Sequence, residues 1–200
     1  MPKNAAELHP HDPAWLTRAS GQLEAIARAL TGIPGVDVAI YDHIGSTSVP
    51  GLRAKPFIDL QVRLLPMPDV RELSDRLGPL GYAQAHGSRP DSPGVYRDVP
   101  RGDEAVPDEV WDKSIFTNDD VQAIVHIRRA DSPWGRYTVW FRDWVRAHPQ
   151  ERERYEDLKV RLSEANAGKP DYDDYTRAKT VFFDEVQDAF TSWARKNHPV

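Results

Sequence analysis

The 200-residue sequence contains no cysteine, and this absence excludes several kinds of chemistry. Without thiols the chain has no disulfide framework, no thiolate metal site and no cysteine nucleophile, as expected for a protein of a reducing compartment. The chain also lacks a basic excess, because its formal net charge is −5 and its pI is about 5.8. Duplex nucleic acid is therefore not an expected partner.

Long hydrophobic runs are missing as well. The first thirteen residues, MPKNAAELHPHDP, contain no apolar segment of the signal-peptide kind. No later stretch approaches the roughly 20 apolar residues that cross a bilayer. We therefore expect a cytoplasmic protein with no membrane partner. Its 40% hydrophobic content is enough for a packed core, and we predict a single domain over residues 1–200.

Residues 43–62, HIGSTSVPGLRAKPFIDLQV, have the composition of a ligand site. The β-branched run Val36–Tyr41 before them predicts a strand. Gly45 and Ser46 then interrupt it with a hydroxyl group and open backbone amides. Because such a turn can surround phosphate oxygens, we predict an anion site here.

The second half of this stretch alternates between apolar and polar residues, which predicts a strand with two different faces. One face carries Ile58, Leu60 and Val62. The other carries Phe57, Asp59 and Gln61. We expect the first set in the core, and Asp59 and Gln61 together in a cleft beside Ser46.

The wording of this motif resembles the GrpB family, a branch of the nucleotidyltransferase superfamily. The similarity lies in HIGSTSVPGL at 43–52 and AKPFID at 54–59. It implies an α/β (α+β) fold in which residues 13–130 form a nucleotidyltransferase-like mixed sheet with flanking helices, and residues 131–200 a helical region. It also implies a nucleoside triphosphate or another small phosphorylated ligand at the Gly-Ser turn. A nucleotidyl group would be transferred with Mg²⁺ held by carboxylates of the next strand.

Gln61 departs from that pattern. Active superfamily members carry Asp-x-Asp on this strand, because two magnesium ions need hard, charged oxygen ligands. An amide oxygen neutralises no charge, so Asp59 alone should hold at best one weakly bound Mg²⁺. If the family geometry is inherited, Gln61→Asp should tighten that ion.

The residues and the resemblance together give a set of candidate site residues. Asp59 is the candidate metal ligand, and Asp59 and His126 are the candidate catalytic groups. The predicted ligand-binding residues are Gly45, Ser46, Ser48, Lys55, Arg128, Arg142 and Lys179. Lys55 and Arg128 would neutralise phosphate charge, and we expect their removal to weaken binding with little effect on stability.

The rest of the chain predicts flanking helices and a hairpin. Helices are expected from Asp12–Pro13 to Gly32, from Asp69 to Leu77, and in three successive segments beginning near Trp134, Pro149 and Tyr172, the last running to about Lys196. Strands are expected at 36–43, 57–63 and 121–129, the last forming a hairpin with 110–116. Residues 86–108 are rich in Pro, Gly and Asp and predict an irregular loop over the site.

Three functions remain open on the sequence alone. The first is a nucleotidyltransferase-type enzyme, and the second is a non-catalytic module that binds nucleotides or coenzyme A precursors. The third is an enzyme in which Asp59 or His126 performs acid/base chemistry on another substrate. Structural alternatives also exist for each residue: Ser46 as a helix cap, Asp59 as a salt-bridged acid and His126 as a hydrogen-bonded core residue.

Overall fold

The computed structural model describes residues 6–87, 92, 94–102, 104–171 and 173–197. In this part of the chain the strands are β1 (Ile40–Ile44), β2 (Ile58–Leu64), β3 (Ala83–Gln84), β4 (Lys113–Asn118) and β5 (Ala123–Arg129). The helices are α1 (Ala14–Ala29), α2 (Val70–Leu77), α3 (Pro133–Ala147), α4 (Pro149–Ala165) and α5 (Asp173–Asn197). The five strands form one mixed sheet in the order β1-β2-β5-β4-β3, which confirms the predicted mixed α/β class.

The parallel pair β2 and β5 forms the centre of the sheet, while β1 and β4 flank it in antiparallel orientation. The predicted alternation of β2 is confirmed on its apolar face, where Ile58, Leu60 and Val62 have no exposed surface. Helices α1 and α2 contribute to the core on this face. Burying each of these aliphatic side chains stabilises the fold by about 1.5–3 kcal/mol.

The three C-terminal helices form a second core on the opposite side of the sheet. Its centre is aromatic, and the Phe141 and Phe183 rings stack at a centroid distance of 4.0 Å. Its buried members are Val49, Leu52, Tyr137, Trp140, Phe141, Trp144, Val145, Tyr155, Phe182, Val186, Phe190 and Ala194. The predicted helical region is thus confirmed, with α5 beginning at Asp173; Tyr172 lies outside the described residues.

The predicted strand at 36–43 was wrong over its first half. Val36–Val38 forms a single 3₁₀ turn, and β1 begins at Ile40. Gly35 causes the turn: its φ is +80°, and a Cβ there would stand 2.8 Å from the Leu65 carbonyl carbon. The β-branched run therefore enters the sheet later than its composition predicts.

The hairpin is confirmed with a later start. β4 and β5 pair in antiparallel orientation up to Asn118 and Ala123, whereas Val110 lies in a 3₁₀ turn, Asp108–Trp111. The Asn118 side chain forms the turn by accepting hydrogen bonds from the amides of Asp120 and Val121, at 3.0 and 3.2 Å.

Of the predicted loop at 86–108, residues 88–91, 93 and 103 lie outside the described residues. The described part runs without helix or strand as far as Pro107. Separately, none of the helices in the described ranges has the length and apolar character needed to cross a membrane.

Candidate functional site

A cavity of about 570 Å³ lies between the polar face of the sheet and the three C-terminal helices. The turn after β1 and the two central strands contribute Gly45, Ser46, Thr47, Asp59, Ile124, His126 and Arg128. The helices contribute Trp134, Thr138, Phe141, Arg142, Tyr155, Lys159, Tyr175, Thr176, Lys179, Thr180 and Phe183. The motif at 43–62 thus forms only one wall of the cavity.

The Gly45 backbone lies directly against the Asp59 carboxylate. Gly45 has a φ of +70°, and a Cβ at this position would stand 2.8 Å from the Asp59 Cγ and closer still to one carboxylate oxygen. Only glycine combines this backbone conformation with this approach. The two halves of the motif are therefore in contact at the cavity.

Ser46–Ser48 forms one 3₁₀ turn whose two serines have different surroundings. Ser46 lines the cavity and is hydrogen-bonded to Tyr155. Ser48 is fully buried, donates its hydroxyl to the Gly45 carbonyl at 2.5 Å and is not among the lining residues. The Ser48 hydroxyl therefore closes the turn, while the Ser46 side chain lies at the cavity.

Three lysines from three different elements extend into the cavity beside two tyrosine rings. The Lys55 and Lys179 ammonium groups lie 5.6 and 5.0 Å from the centroid of Tyr175. The Lys159 ammonium lies 5.0 Å from the centroid of Tyr155 and also donates to the Arg53 carbonyl. Lysine and ring make cation–π contacts at this range.

Burial and mutual repulsion make these lysines weaker bases than usual. Burial, with repulsion from Lys179, lowers the pKa of Lys55 to about 7. Burial, again with repulsion from Lys179, lowers the pKa of Lys159 to about 7. Burial also lowers the pKa of Lys179, although the Asp59 charge opposes this. A dianion in the cavity would favour the protonated form of all three.

The two tyrosines contribute hydroxyl groups that stay protonated. Burial raises the pKa of Tyr155 to about 12, in spite of its hydrogen bond to Ser46. Burial also raises the pKa of Tyr175, helped by the neighbouring Tyr155 hydroxyl and the negative charge of Asp59. Both are therefore neutral hydrogen-bond donors at pH 7.

Asp59 and His126 are neighbours on the central strands. Asp59 Oδ1 lies 4.0 Å from His126 Nε2, and about a third of the Asp59 side chain (34%) is exposed to the cavity. Burial opposes ionisation of Asp59, but His126, Lys179 and Lys55 hold its pKa below the ordinary value. Burial lowers the pKa of His126 to about 4, so the ring is neutral at pH 7. Its buried Nδ1 has no hydrogen-bond partner among the described residues.

Arg128 lines the cavity, but its guanidinium is bound on several sides. Its Nε donates to Asp98 Oδ2 at 2.7 Å, its Nη2 to Asp98 Oδ1 at 3.1 Å and its Nη1 to Gln61 Oε1 at 2.8 Å. Lys113 Nζ also contacts Asp98, at 2.5 Å. Both cations hold the pKa of Asp98 below its ordinary value, although burial alone would raise it. Asp98 thus anchors the irregular loop to the sheet.

The expectation that Gln61 shares the cleft with Asp59 was wrong. Gln61 has no exposed surface and is not a lining residue. Its Nε2 donates to the Gly135 carbonyl at 3.0 Å, and its Oε1 accepts from Arg128 at 2.8 Å and from Thr138 at 3.1 Å. Gln61 therefore connects the sheet to α3 and offers no free oxygen to a metal.

Arg142 lies at the edge of the cavity with its guanidinium already engaged. It donates to both carboxylate oxygens of Asp143, at 2.7 and 2.9 Å, and to the His43 carbonyl at 2.9 Å. These contacts attach α3 to the end of β1. Of the predicted ligand-binding cations, Lys55 and Lys179 are the two whose charges lower the pKa of Asp59.

The residues present do not fit a two-magnesium site. The position of the second carboxylate is taken by the fully bonded Gln61, and lysines face Asp59 from two elements. Within the described part of the chain, no three His, Cys, Asp or Glu side chains are grouped so as to hold a metal ion. These residues therefore offer no ligand set for two Mg²⁺ ions.

Sequence reasoning missed Tyr155, Lys159 and Asp98. The first two carry a signal in the sequence, because Tyr155 and Lys159 repeat the Tyr-x-x-x-Lys spacing of Tyr175 and Lys179. Positions four apart share a helix face, and in both pairs the ammonium lies 5.0 Å from the ring centroid. Asp98 has no such signal, since it lies in an irregular loop.

The family model described as "GrpB protein" matches residues 5–189 of this chain. The chain belongs to the GrpB family. One GrpB relative is the UPF0157 protein PA4798 of Pseudomonas aeruginosa, 34% identical over 86% of this chain and 62% of the relative. Another is the glutamate-rich protein GrpB of Alkalihalophilus pseudofirmus, 31% identical over 78% of this chain and 82% of the relative.

The GrpB chain is also similar to part of a longer enzyme and to one solved structure. A dephospho-CoA kinase of Mycolicibacterium paratuberculosis is 29% identical over 94% of this chain, which spans only 46% of that protein. The crystal structure of conserved protein GrpB from Enterococcus faecalis matches with a TM-score of 0.63 at 20% identity, covering 90% of this chain and 99% of the other. This last similarity shows the shared fold.

Proposed function

We propose that this GrpB-family chain binds a small phosphorylated ligand, a nucleotide or a phosphorylated metabolite, in the cavity, and does so without Mg²⁺. The observation that carries the proposal is the grouping of Lys55, Lys159 and Lys179 around the rings of Tyr155 and Tyr175. Ammonium groups held this close in a buried space repel one another. Such an arrangement costs stability unless an anion joins it.

The charges around the three lysines favour a dianion over a neutral ligand. Asp59 is the nearby carboxylate that raises the pKa values of Lys55 and Lys179, and it carries a single negative charge. The pKa values of Lys55 and Lys159 stay near 7 in spite of Asp59 and Glu156, so these carboxylates do not offset the burial of the ammonium groups. A phosphate group would supply the balancing charge, and each charged hydrogen bond contributes about 1.5–3 kcal/mol.

Phosphate oxygens would also find neutral donors at this end. Ser46, Tyr155 and Tyr175 all line the cavity. Their hydroxyl groups are protonated at pH 7. Oriented donors beside cations are the common elements of phosphate sites. Nucleotidyl transfer would need charged metal ligands in addition, and the surroundings of Gln61 and Asp59 favour binding over that reaction.

A second candidate function rests on the Asp59 and His126 pair. The His126 Nε2 lies 4.0 Å from Asp59 Oδ1, and the buried Nδ1 on the other side of the ring has no partner in the described ranges. This is the arrangement of an acid/base pair at a cavity wall. In this function the lysines would hold a carboxylate substrate beside the pair. The same titrations separate it from the first proposal.

The test is isothermal titration calorimetry of the purified chain with pyrophosphate, nucleoside mono- and triphosphates and coenzyme A precursors, each with Mg²⁺ and with EDTA. We expect binding in EDTA, and a loss of roughly 1–3 kcal/mol for Lys55→Ala and for Lys179→Ala. Binding that requires Mg²⁺ would replace this proposal with nucleotidyl transfer. If no compound of the panel binds, the acid/base function is the better candidate.

Lys196→Ala is the matched control for these variants. Lys196 lies on α5 like Lys179, but it is exposed near the end of the helix and does not line the cavity. Removing it changes the net charge by the same amount. Equal losses in Lys179→Ala and Lys196→Ala would show a general charge effect and contradict the proposed site.

A further inference from the structure

The cavity has a second, apolar wall opposite the charged residues of the sheet. Trp134, Phe141, Tyr155 and Phe183 all line it, and they come from three different helices. Their rings follow one another: Trp134 to Phe183 at 6.3 Å, Phe183 to Phe141 at 4.0 Å and Phe141 to Tyr155 at 5.3 Å between centroids. We call these four residues the aromatic wall.

The aromatic wall ends at the lysines. Tyr155 is its last member: its ring lies 5.0 Å from the Lys159 ammonium, and its hydroxyl is next to Ser46. A ligand bound at Ser46 and the lysines therefore lies directly beside an aromatic surface. The far end of the wall is Trp134, whose ring contacts that of Phe183.

We infer that the ligand is amphipathic: a phosphate ester whose other end is a flat aromatic group that packs against the aromatic wall. The inference rests on the proposed function, because it assigns the phosphate to the lysine end. A flat ring would gain both apolar burial and offset-stacked or edge-to-face contacts with the wall. A sugar phosphate or a bare polyphosphate would leave this surface without contact.

The size of the cavity agrees with a ligand of this kind. A volume of about 570 Å³ is in the range of roughly 300–1,000 Å³ that holds drug-sized ligands, and it is far larger than a phosphate group needs. The outer surface of the wall is already occupied. The Arg101 guanidinium lies 4.6 Å from the Trp134 centroid and 5.5 Å from that of Phe183, and Arg101 is not a lining residue.

Arg101 also holds this part of the wall in place. It pairs with Asp184 at 2.7 Å, and only 7% of its side chain is exposed. Trp134 and Phe183 are thus covered on the outside by a fixed cation and accessible from the cavity. A preformed apolar surface of this kind loses little entropy when a rigid ring packs on it.

The experiment compares methyl phosphate, phenyl phosphate and 1-naphthyl phosphate by calorimetry at one pH and salt concentration. We expect affinity to rise by roughly tenfold from the methyl to the phenyl ester and again to the naphthyl ester. In Phe183→Leu, which keeps an apolar side chain but removes the ring, the aromatic gain should shrink while methyl phosphate binding is retained. Trp193→Ala, an aromatic truncation on the same helix at a residue that does not line the cavity, is the control.

The outcomes separate the two proposals. Equal affinity for all three esters would overturn the inference and leave the phosphate site intact. A gain that persists unchanged in Phe183→Leu and in Trp134→Leu would also overturn it, because the rings would then bind elsewhere. If the parent chain binds none of the three esters and Lys179→Ala gives the same calorimetric result, the proposed function itself fails.

Discussion

Arg128 and Asp98 form a bidentate ion pair in which each side chain is only 2% exposed, although 30 residues separate them along the chain. Arg128 belongs to the central strand β5, whereas Asp98 lies in a segment without helix or strand. This pair, together with Lys113, attaches that segment to the sheet through buried side chains. It also bears directly on the role predicted for Arg128 from the sequence.

We predict that Arg128→Ala lowers the free energy of unfolding by about 3–5 kcal/mol, because it removes the bidentate partner of the buried Asp98 carboxylate. Chemical denaturation monitored by circular dichroism measures this. The triple variant Arg128→Met, Asp98→Leu and Lys113→Met should recover part of the loss, since no charge of this buried cluster is then left without its partner. A stable Arg128→Ala chain that has lost pyrophosphate binding would instead assign Arg128 to the ligand.

Lys55→Met should stabilise the chain while weakening anion binding. In the unfolded chain lysine stays protonated up to about pH 10.4, whereas burial lowers the pKa of folded Lys55 to about 7. The folded state therefore loses stability as pH falls from about 10 towards 7. We expect a gain of about 1 to 2 kcal/mol at pH 7, less than the full shift implies because Lys55 is partly exposed.

Denaturation of Lys55→Met and of the parent chain at pH 7 and pH 10 checks this. The difference in their free energies of unfolding should shrink at pH 10, where Lys55 of the folded parent chain is a neutral amine. A variant that is less stable than the parent at pH 7 would show that the Lys55 contacts outweigh its burial. A protein that gains stability when it loses a binding group fits the usual trade-off between the two.

Anion binding should be accompanied by proton uptake. The pKa values of Lys55 and Lys159 are lowered to about 7, mainly by burial, and a bound anion raises them again. Affinity is therefore highest below pH 7 and falls by up to about tenfold per pH unit above it for each linked proton. Sulfate is a suitable probe because it remains a dianion throughout this range.

Calorimetry in buffers of different ionisation enthalpy counts the protons taken up with sulfate. We expect a fraction of a proton at pH 7 in the parent chain and a smaller one in Lys55→Met. An affinity that is constant from pH 6 to pH 9, with no dependence on the buffer, would contradict this linkage.

Gly45→Ala should lower both stability and ligand affinity, since the new Cβ would overlap the Asp59 carboxylate. Gly168→Ala is the matched control: Gly168 has a φ of +76°, close to the +70° of Gly45, but a Cβ there would meet no atom of the described residues within 4 Å. The control gives the cost of a positive φ in the left-handed region, about 1–2 kcal/mol; Gly45, with a ψ of −172°, has a conformation restricted to glycine and should lose more. Thermal melts that shift equally for both variants would argue against the Asp59 contact.

Gln61→Asp should lower stability and leave Mg²⁺ affinity unchanged. The shorter carboxylate loses the donor to the Gly135 carbonyl and adds a buried negative charge next to Asp42, which now accepts from Gln61 at 3.2 Å. Tighter Mg²⁺ binding, measured by calorimetry, would show that the metal geometry of the superfamily is present after all.

The sequence predicted those features that depend on local pattern. The alternation in β2, the hairpin of β4 and β5 and the C-terminal helices each depend on contacts between residues near in sequence. The strand predicted over Val36–Val38 does not form, because a single close approach between Gly35 and Leu65 outweighs strand propensity. This contact joins residues that are distant in sequence.

The same distinction applies to the cavity. Its motif at 43–62 can be recognised in the sequence because the turn, the hydroxyl group and the carboxylate lie in one continuous stretch. The contact of Asp98 with Arg128 depends on how an irregular loop returns to the sheet, and no pattern in the sequence encodes that return. Lys159 was predictable in principle, from the repeated spacing of Tyr and Lys on two successive helices.

The position of the lysines has a mechanical consequence. Lys55 precedes the central strand of the sheet, whereas Lys159 and Lys179 belong to helices that pack on it. Their repulsion therefore acts across the junction between sheet and helices. It favours separation of these two layers. An anion bound between them would attract all three ammonium groups, and we therefore expect it to hold the two layers of the molecule together.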